Sequence, residues 1–227
     1  MHFWNEPWFG SLVLNKKHCM NRKEFIKSST MAAFAITTMG CVVKRNAESE
    51  ELPESTHTGD CATTNDILGP FYRPDAPDQS DMTFAGLDGS QVTIKGMVYT
   101  DDCTTALEDV KVEIWHCDTH GDYDNDSSDF RHRAQQTSDK NGEYQFKTIL
   151  PGKYLNGKLY RPAHIHFRVS HKDHQELISQ IYFSGDPHIV EDPWASQEKA
   201  KARILPIILE DTKGNLAVQF NIYLNKV

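Results

Sequence analysis

The sequence predicts an all-β protein, an antiparallel β-sandwich with few short helices. Apolar residues alternate with polar ones in several short segments, and clusters of turn-forming residues separate those segments. A strand with one buried face shows this period of two, whereas the 3.6-residue period of a helix is convincing in only one stretch. About seven short strands with turns between them are typical of two packed antiparallel sheets.

The predicted strands follow one another along the chain from residue 92. Alternation predicts strands at residues 92–96, 110–114, 144–146 and 165–169, and apolar runs predict three more at residues 177–183, 204–210 and 216–224. Turn signals at residues 139–142 and 211–215 separate neighbouring strands. The single predicted helix covers residues 194–203, with Asp192 and Pro193 before it as cap and first turn.

The composition suits one globular domain with appended segments, since the 227 residues are 38% hydrophobic and 25% charged. We expect an export signal at residues 1–41, a flexible linker at residues 42–60 and the catalytic sandwich at residues 61–227. The linker is polar and rich in Glu and Ser, so it offers little to bury. A formal net charge of −8 without a basic stripe argues against nucleic acid as a partner.

The first 41 residues have the layout of an export signal. Arg22, Lys23 and Lys27 precede a short apolar stretch, residues 31–39, that ends in small residues before Cys41. Met20 is an alternative start of translation, and a short buried helix is the alternative interpretation of the apolar stretch. Because of this signal we expect a periplasmic, envelope-bound or extracellular protein, and Cys41 is a candidate for lipid attachment, with the choice between lipoprotein and soluble form left open.

Three cysteines remain in the predicted domain: Cys61, Cys103 and Cys117. In an exported protein this odd number predicts one disulfide bond and one free thiol. Cys61 and Cys103 lie in turn-like sequence, whereas Cys117 continues an apolar strand. We therefore favour a bridge between Cys61 and Cys103, although the sequence leaves the other pairings open.

The segment YRPAHIHFRVS, residues 160–170, places two histidines two positions apart in a predicted strand. Side chains at i and i+2 share one face, so His164 and His166 project together while Ile165 and Phe167 face the other side. The alternative is a pair of ordinary surface histidines, because the chain has 11 histidines in all. The other histidines of the domain show no spacing that indicates a metal, and we expect them at the surface or beside the site: His116, His120, His132, His171, His174 and His188.

Two tyrosines each lie just beyond a predicted strand. VEIWHCDTHGDY runs from a strand into a turn that ends at Tyr123, and TILPGKY reaches Tyr154 through a Pro-Gly turn. Taken singly, either tyrosine would be interpreted as a packing residue with its hydroxyl hydrogen-bonded at the surface. The informative feature is their ordered combination with the histidine pair.

The ordered segments WHCDTHGDY, GEYQFKTILPGKY, RPAHIHF and ISQIYFSGDP, preceded by ILGPFYRPDAP, resemble the intradiol ring-cleavage dioxygenases. That family includes protocatechuate 3,4-dioxygenase and catechol 1,2-dioxygenase, and the chain looks closer to its exported single-chain members. The likeness covers roughly residues 61–190. It is specific because five separated motifs recur in the same order, whereas chance readily supplies one.

The resemblance implies a ferric ion, Fe(III), held by four ligands: Tyr123, Tyr154, His164 and His166. Two phenolates offset two of the three charges of Fe(III), whereas two histidines and one carboxylate would suit Fe(II). It also implies that Arg161 stabilises negative charge on the ring and that Gln180 lies near the substrate oxygens. Tyr154 would leave the metal when substrate binds and would then act as a base.

The implied reaction splits a catechol-type ring between its two hydroxyl-bearing carbons, places both atoms of O2 in the product and gives a muconate-type dicarboxylic acid. One alternative is an exported sandwich that binds a catechol-like or carbohydrate ligand without turnover. Another is a domain that binds zinc or copper at the two histidines. Ferric tyrosinate would make the protein wine-red, whereas the zinc or copper protein would be colourless or blue.

Two residues depart from the family pattern, since Tyr160 stands where many relatives have tryptophan and Cys117 replaces a small residue. The pocket wall is therefore expected to differ from that of many relatives. The substituent on the substrate ring and the oligomeric state stay open at this point.

Overall fold

The computed structural model describes residues 61–210 and 214–227. The predicted export signal and linker lie outside the described residues, as do residues 211–213 of the last predicted turn. No helix within the described ranges is long and apolar enough to cross a membrane.

The described residues form twelve strands and one short 3-10 helix, Glu198–Arg203. The strands are β1 Gln91–Thr100, β2 Lys111–Trp115, β3 Arg133–Thr137, β4 Glu143–Ile149, β5 Tyr154–Asn156, β6 Leu159–Arg161, β7 His164–His171, β8 His174–Phe183, β9 Ile204–Leu205, β10 Ile208–Leu209, β11 Leu216–Gln219 and β12 Ile222–Leu224. The predicted all-β class is thereby confirmed.

Two five-stranded sheets enclose one core, and β5 and β6 form a separate hairpin. In the first sheet, β1 pairs with β4 along one edge and with β11 and then β12 along the other. The second sheet has the order β3-β2-β7-β8-β9. Phe167 of β7 packs across the core against Phe220 and Tyr144, with ring centroids 5.1 and 6.3 Å away. These contacts between the sheets make the fold a sandwich.

The pairing is more mixed than the predicted antiparallel arrangement. β1 pairs with β11 and with β12 in parallel, and β8 pairs with β9 in parallel, while the remaining pairs are antiparallel. Parallel neighbours cannot be joined by a tight hairpin, and each of these pairs is indeed connected by a long stretch of chain. The strand pattern thus predicted the sheets but not the direction in which the last strands return.

Two predicted elements are shorter than expected. The run at residues 204–210 is divided at Pro206 into β9 and β10, which belong to different sheets, because proline has no N–H for a sheet ladder. The helix predicted at residues 194–203 is wrong for its first four residues. The carboxylate of Asp192 accepts the backbone N–H groups of Trp194 and Ala195, and this bonding holds a turn that precedes the 3-10 helix.

The favoured disulfide is confirmed, because Cys61 and Cys103 are bonded. Cys117 is a free, fully buried thiol, also as predicted. Its S–H donates to the carbonyl of Gly152, and burial raises the pKa of the thiol to about 12. Cys117 is therefore a packing residue beside the loop that leads to Tyr154.

Candidate active site

The four predicted metal ligands meet at one end of the second sheet. Tyr123 lies in the connection between β2 and β3, Tyr154 begins β5, and His164 and His166 lie at the start of β7. The hydroxyl of Tyr123 is 3.3 Å from Nε2 of His164. The ring centroids of Tyr123 and Tyr154 are 5.8 Å apart, and those of His164 and His166 are 5.0 Å apart. Residues separated by more than 40 positions thus share one site.

Two glycines allow the loops that carry the tyrosines to pack against each other. A Cβ atom on Gly152 would lie 2.3 Å from the carbonyl oxygen of Thr119, and one on Gly121 would lie 2.6 Å from that of Lys153. The N–H of Gly152 also donates to the carbonyl of Asp118 at 2.8 Å. Side chains at either position would push the loops apart, so these glycines bring the two phenols together.

Hydrogen bonds fix the tautomer of His164. Its Nδ1 must donate to the carbonyl oxygen of Pro162, 2.7 Å away, because a carbonyl can only accept. The lone pair therefore lies on Nε2, which faces the hydroxyl of Tyr123. A histidine that donates one ring nitrogen to a backbone carbonyl is typical of a metal ligand held ready by its neighbours.

His166 is fully buried and is held by packing on both sides. Its ring stacks on Trp115 at 4.8 Å with an interplanar angle of 9°, and Gly69 lies against the ring edge, where a Cβ would come within 3.1 Å of Cε1. Neither ring nitrogen of His166 has a hydrogen-bond partner within the described part of the chain. Because a buried polar group without a partner is costly, this imidazole lacks a ligand that would satisfy it.

Burial determines the protonation states at the site. It lowers the pKa of His164 to about 3, helped by the charge of Arg161, and it lowers the pKa of His166 well below the usual range, helped by His164. Both imidazoles are therefore neutral near pH 7, which is the form that binds metals. Burial also raises the pKa of Tyr123 above its usual value, so that phenol ionises only if a cation stabilises the phenolate.

These donors fit a ferric ion. Within residues 61–210 and 214–227, no three His, Cys, Asp or Glu side chains are grouped so as to hold a metal. A metal at this position would therefore need the two phenols in addition to His164 and His166. Two phenolates and two neutral imidazoles form the hard, negatively charged set that suits Fe(III) better than Fe(II) or Zn(II).

Arg161 lies beside these four residues and is buried, not at the surface. Its Nε donates to Asp192 at 2.8 Å, its Nη1 is 3.3 Å from Nε2 of His164, and its guanidinium stacks 4.4 Å above the ring of Trp194. Burial lowers the pKa of Arg161, but the hydrogen bond and charge of Asp192 outweigh that effect and raise it, with a smaller contribution from a hydrogen bond with Tyr154. The site therefore contains a permanent positive charge with a buried counter-ion.

Gln180 orients the same guanidinium. Its amide nitrogen donates to the carbonyl of Ile67 at 2.8 Å, which turns its Oε1 toward Arg161, whose Nη2 donates to it at 3.0 Å. Behind Gln180, Asp66 accepts from Tyr182 at 2.9 Å and from Arg203 at 2.8 Å. Gln180 thus contacts Arg161 directly and acts on a bound molecule chiefly through it.

The structure brings all six predicted site residues together, and it adds charged residues that the sequence did not indicate. Asp192 was expected only as a helix cap, and Asp66 and Arg203 carried no signal, because their ion pair joins residues 137 positions apart.

Among the other histidines, His116, His132 and His174 are buried and not at the surface. His116 donates to the carbonyl of Cys117 and accepts from Thr148, so it ties β2 to β4.

Comparison with known proteins gives a consistent result. A family model described as Dioxygenase matches residues 67–226. The chain is 33% identical over 156 residues to catechol 1,2-dioxygenase of Acinetobacter baylyi, an alignment that covers 58% of this chain and 49% of that protein. It is 30% identical over 187 residues to hydroxyquinol 1,2-dioxygenase of Rhodococcus opacus, which covers 74% of this chain and 57% of that protein.

A solved structure is similar over its whole length. The dioxygenase domain of a dioxygenase carbohydrate-binding protein fusion from Streptomyces sp. SirexAA-E superimposes with a TM-score of 0.63 at 25% identity, covering 73% of this chain and 99% of that one. The chain spans only about half the length of the curated relatives it matches. The fold, the motifs and these matches agree, and the chain belongs to the intradiol ring-cleavage dioxygenase family.

Proposed function

We propose that this protein is an Fe(III)-dependent dioxygenase that cleaves a catechol-type ring between its two hydroxyl-bearing carbons and yields a muconate-type dicarboxylic acid. The observation that carries the proposal is the meeting of two phenols and two neutral, buried imidazoles beside a buried arginine. Tyr123, Tyr154, His164 and His166 would hold the iron. When bound, the ferric ion would act as a Lewis acid that orients the diol and activates it toward O2.

The protein's own contribution begins with a proton. Tyr154 is the ligand proposed to leave the metal, and in the β5–β6 hairpin it stands directly opposite Arg161. Its phenolate oxygen would take one proton from a substrate hydroxyl, and Arg161 would hold that oxygen by a hydrogen bond while the proton moves. Tyr154 would thus act as the base, and Arg161 would hold its oxygen in place.

Arg161 has a second role in this proposal. As the ring gains negative charge, a guanidinium that is already desolvated and oriented stabilises that charge without reorganising. Asp192 and Gln180 keep it oriented through bonds of 2.8 and 3.0 Å. Phe71, stacked 4.2 Å from Tyr123, and the packed ring of Trp115 would exclude water from the same side of the site.

Colour and iron content test the proposal. The iron-loaded protein is expected to be wine-red and to consume O2 with a catechol, whereas Tyr123→Phe and Tyr154→Phe should each weaken or shift the visible band and lower kcat/KM by about a hundredfold or more. Tyr223→Phe is the matched control, because Tyr223 stacks on Tyr99 away from the site. A colourless protein with one full equivalent of iron would refute the phenolate ligands.

We also propose that the protein is exported and that Cys41 is a site of lipid attachment. The Cys61–Cys103 bond supports export, because such bonds persist in oxidising compartments. Cell fractionation and the mass of the mature chain test this proposal, with Cys41→Ser as the control for lipidation. A full-length chain recovered from the cytoplasm with reduced Cys61 and Cys103 would contradict it.

A further inference from the structure

A second buried arginine, Arg133 of β3, lies on the same sheet face as the candidate metal ligand His166. Arg133 pairs directly with Trp115 of β2, and Trp115 pairs in turn with His166 of β7. Beyond them, His166 pairs with Gln180 of β8. Because directly paired residues of neighbouring strands point to one face, the four side chains form a row across the sheet. Arg133 lies at one end of this row, and Arg161, which donates to Gln180, lies at the other.

The guanidinium of Arg133 joins the two chain segments that flank the ring of Tyr123. Its Nε donates to the carbonyl of Asp124 at 2.8 Å, and its Nη1 donates to the carbonyl of Phe71 at 2.6 Å. Asp124 follows Tyr123 in the loop between β2 and β3, and the ring of Phe71 stacks on that of Tyr123. Arg133 therefore holds both the backbone that carries the phenol and the ring that packs against it.

The charge of Arg133 is buried without a carboxylate partner. Arg133 is 1% exposed, and its third side-chain hydrogen bond goes to another neutral oxygen, Oδ1 of Asn125 at 3.4 Å. No ion pair among the described residues includes Arg133, and the carboxylate of Asp124 pairs with Arg73 instead, at 3.5 Å. A buried cation of this kind is costly unless negative charge develops beside it.

The two buried arginines of the site therefore differ in their counter-ions. Arg161 bonds to the carboxylate of Asp192 at 2.8 Å and stands opposite Tyr154 in the β5–β6 hairpin. Arg133 holds the segments around Tyr123 and lacks such a partner. A phenolate on Tyr123 would supply the negative charge that no described carboxylate provides for Arg133.

We propose that Arg133 is a positioning residue that keeps Tyr123 on the iron while Tyr154 leaves. This role rests on the proposed function, because it requires Tyr123 to be a phenolate ligand. The bonds of Arg133 fix the place of the ring, and its charge, acting through the protein interior, stabilises the negative oxygen. The same charge lowers the energy of the phenolate electrons, so that charge transfer from Tyr123 to iron needs more energy when Arg133 is present.

The visible band of the iron-loaded full-length protein tests this role. In a Tyr154→Phe background only Tyr123 can give a phenolate band, so the wavelength of that band reports on one ligand. In that background we expect Arg133→Met to move the band to longer wavelength and to weaken iron binding by about 10- to 100-fold. Arg133→Lys keeps the charge and should restore the wavelength of the parent, with iron affinity restored in part.

Arg73→Met is the matched control for loop holding. Arg73 also donates to the carbonyl of Asp124, at 3.3 Å, but it has its own carboxylate partner and stacks on Phe130 at 4.2 Å. Its side-chain bonds go to the loop after Tyr123 and not to Phe71. We expect the band to stay at the wavelength of the parent in this variant. Equal shifts in Arg73→Met and Arg133→Met would mean that both arginines only hold the loop, and the proposal would be wrong.

A further variant keeps the test decisive. Arg133→Gln retains a donor for the carbonyl oxygens but no charge, and it should shift the band in the same direction as Arg133→Met. It decides alone if circular dichroism shows that Arg133→Met is unfolded. An unshifted band in a folded, uncharged variant would overturn the role of Arg133 while leaving the proposed function in place. A colourless wild type with a full equivalent of iron would refute the proposed function, and this role with it.

Discussion

The two ends of β7 carry two histidine pairs in opposite surroundings. His164 and His166 are fully buried and face two phenols and a buried guanidinium. His171 and His174 lie in a turn that opens to solvent, beside carboxylates and a hydroxyl. A histidine pair at each end of β7 thus meets a different set of partners.

The difference teaches that the partners decide what a histidine pair can do. At the buried end, two phenols and two neutral imidazoles face a buried guanidinium, and the proposed Fe(III) site depends on that set of partners. At the open end, the two histidines bond to each other, to the hydroxyl of Thr100 and to the backbone N–H of Asp173. The ends are also held differently, because buried ion pairs surround the first and the Cys61–Cys103 disulfide lies near the second.

The largest expected effect comes from removing the counter-ion at the buried end. Asp192→Asn leaves the guanidinium of Arg161 buried without its partner, so the free energy of unfolding should fall by about 3–5 kcal/mol in urea denaturation. Glu198→Gln is the matched control, because its ion pair with Lys201 lies at the surface, where a change of about 0.5 kcal/mol or less is expected. Equal effects of the two substitutions would mean that the buried end does not depend on paired charge.

A double variant separates stability from activity at this end. Arg161→Met combined with Asp192→Asn removes both charges while the Asn side chain can still accept the N–H groups of Trp194 and Ala195. Replacing a whole buried ion pair with apolar contacts is often close to neutral, so much of the lost stability should return. Ring cleavage should stay lost, because no guanidinium remains near the substrate. Recovery of activity along with stability would exclude Arg161 from the chemistry.

The sequence predicted the four candidate metal ligands and Arg161, but not the buried ion pairs beside them. Alternation predicted β1, β2, β4 and β7, an apolar run predicted β8, and the His-X-His spacing placed His164 and His166 on one strand face. The strand Arg133–Thr137 was missed, because its sequence RAQQT lacks apolar alternation at the edge of a sheet. The ion pairs of Arg161 with Asp192 and Arg203 with Asp66 were missed because a counter-ion is chosen by the tertiary fold.

The second prediction concerns the disulfide at the open end. Cys61→Ser with Cys103→Ser opens a loop of 42 residues, and the free energy of unfolding should fall by about 2–4 kcal/mol because the unfolded chain gains freedom. Iron content and ring cleavage should not change, because neither cysteine touches the candidate active site. The free energy of unfolding and the iron content should be measured on the same preparation. Loss of iron in this variant would show that the two ends are coupled.

A third, smaller effect is expected where the two tyrosine loops meet. Gly152→Ala forces a Cβ to within 2.3 Å of the carbonyl of Thr119, and relief of that overlap should cost about 1–3 kcal/mol and weaken iron binding. Gly157→Ala is the control, because a Cβ there meets nothing within 4 Å and only its φ of +66° opposes alanine. Iron titration followed at the visible band should distinguish them. Equal iron affinity in both variants would mean that loop contact does not position the phenols.

The smallest expected effect is a pH dependence of the free energy of unfolding, caused by the buried side chain of His116. Burial and the neighbouring His132 lower the pKa of His116 to about 3 in the folded chain, against about 6.5 when unfolded. Between these values the unfolded chain binds the extra proton, so stability is fully present above pH 6.5 and falls as pH decreases, by about 1.4 kcal/mol per pH unit. His116→Gln can still donate to Cys117 and accept from Thr148, and it should lower the wild-type slope by about 1.4 kcal/mol per pH unit between about pH 6 and about pH 4, because the other buried histidines keep their share. His120→Gln is the control, because it removes a histidine whose side chain is exposed. An identical slope in wild type and His116→Gln would mean that His116 takes up its proton without unfolding.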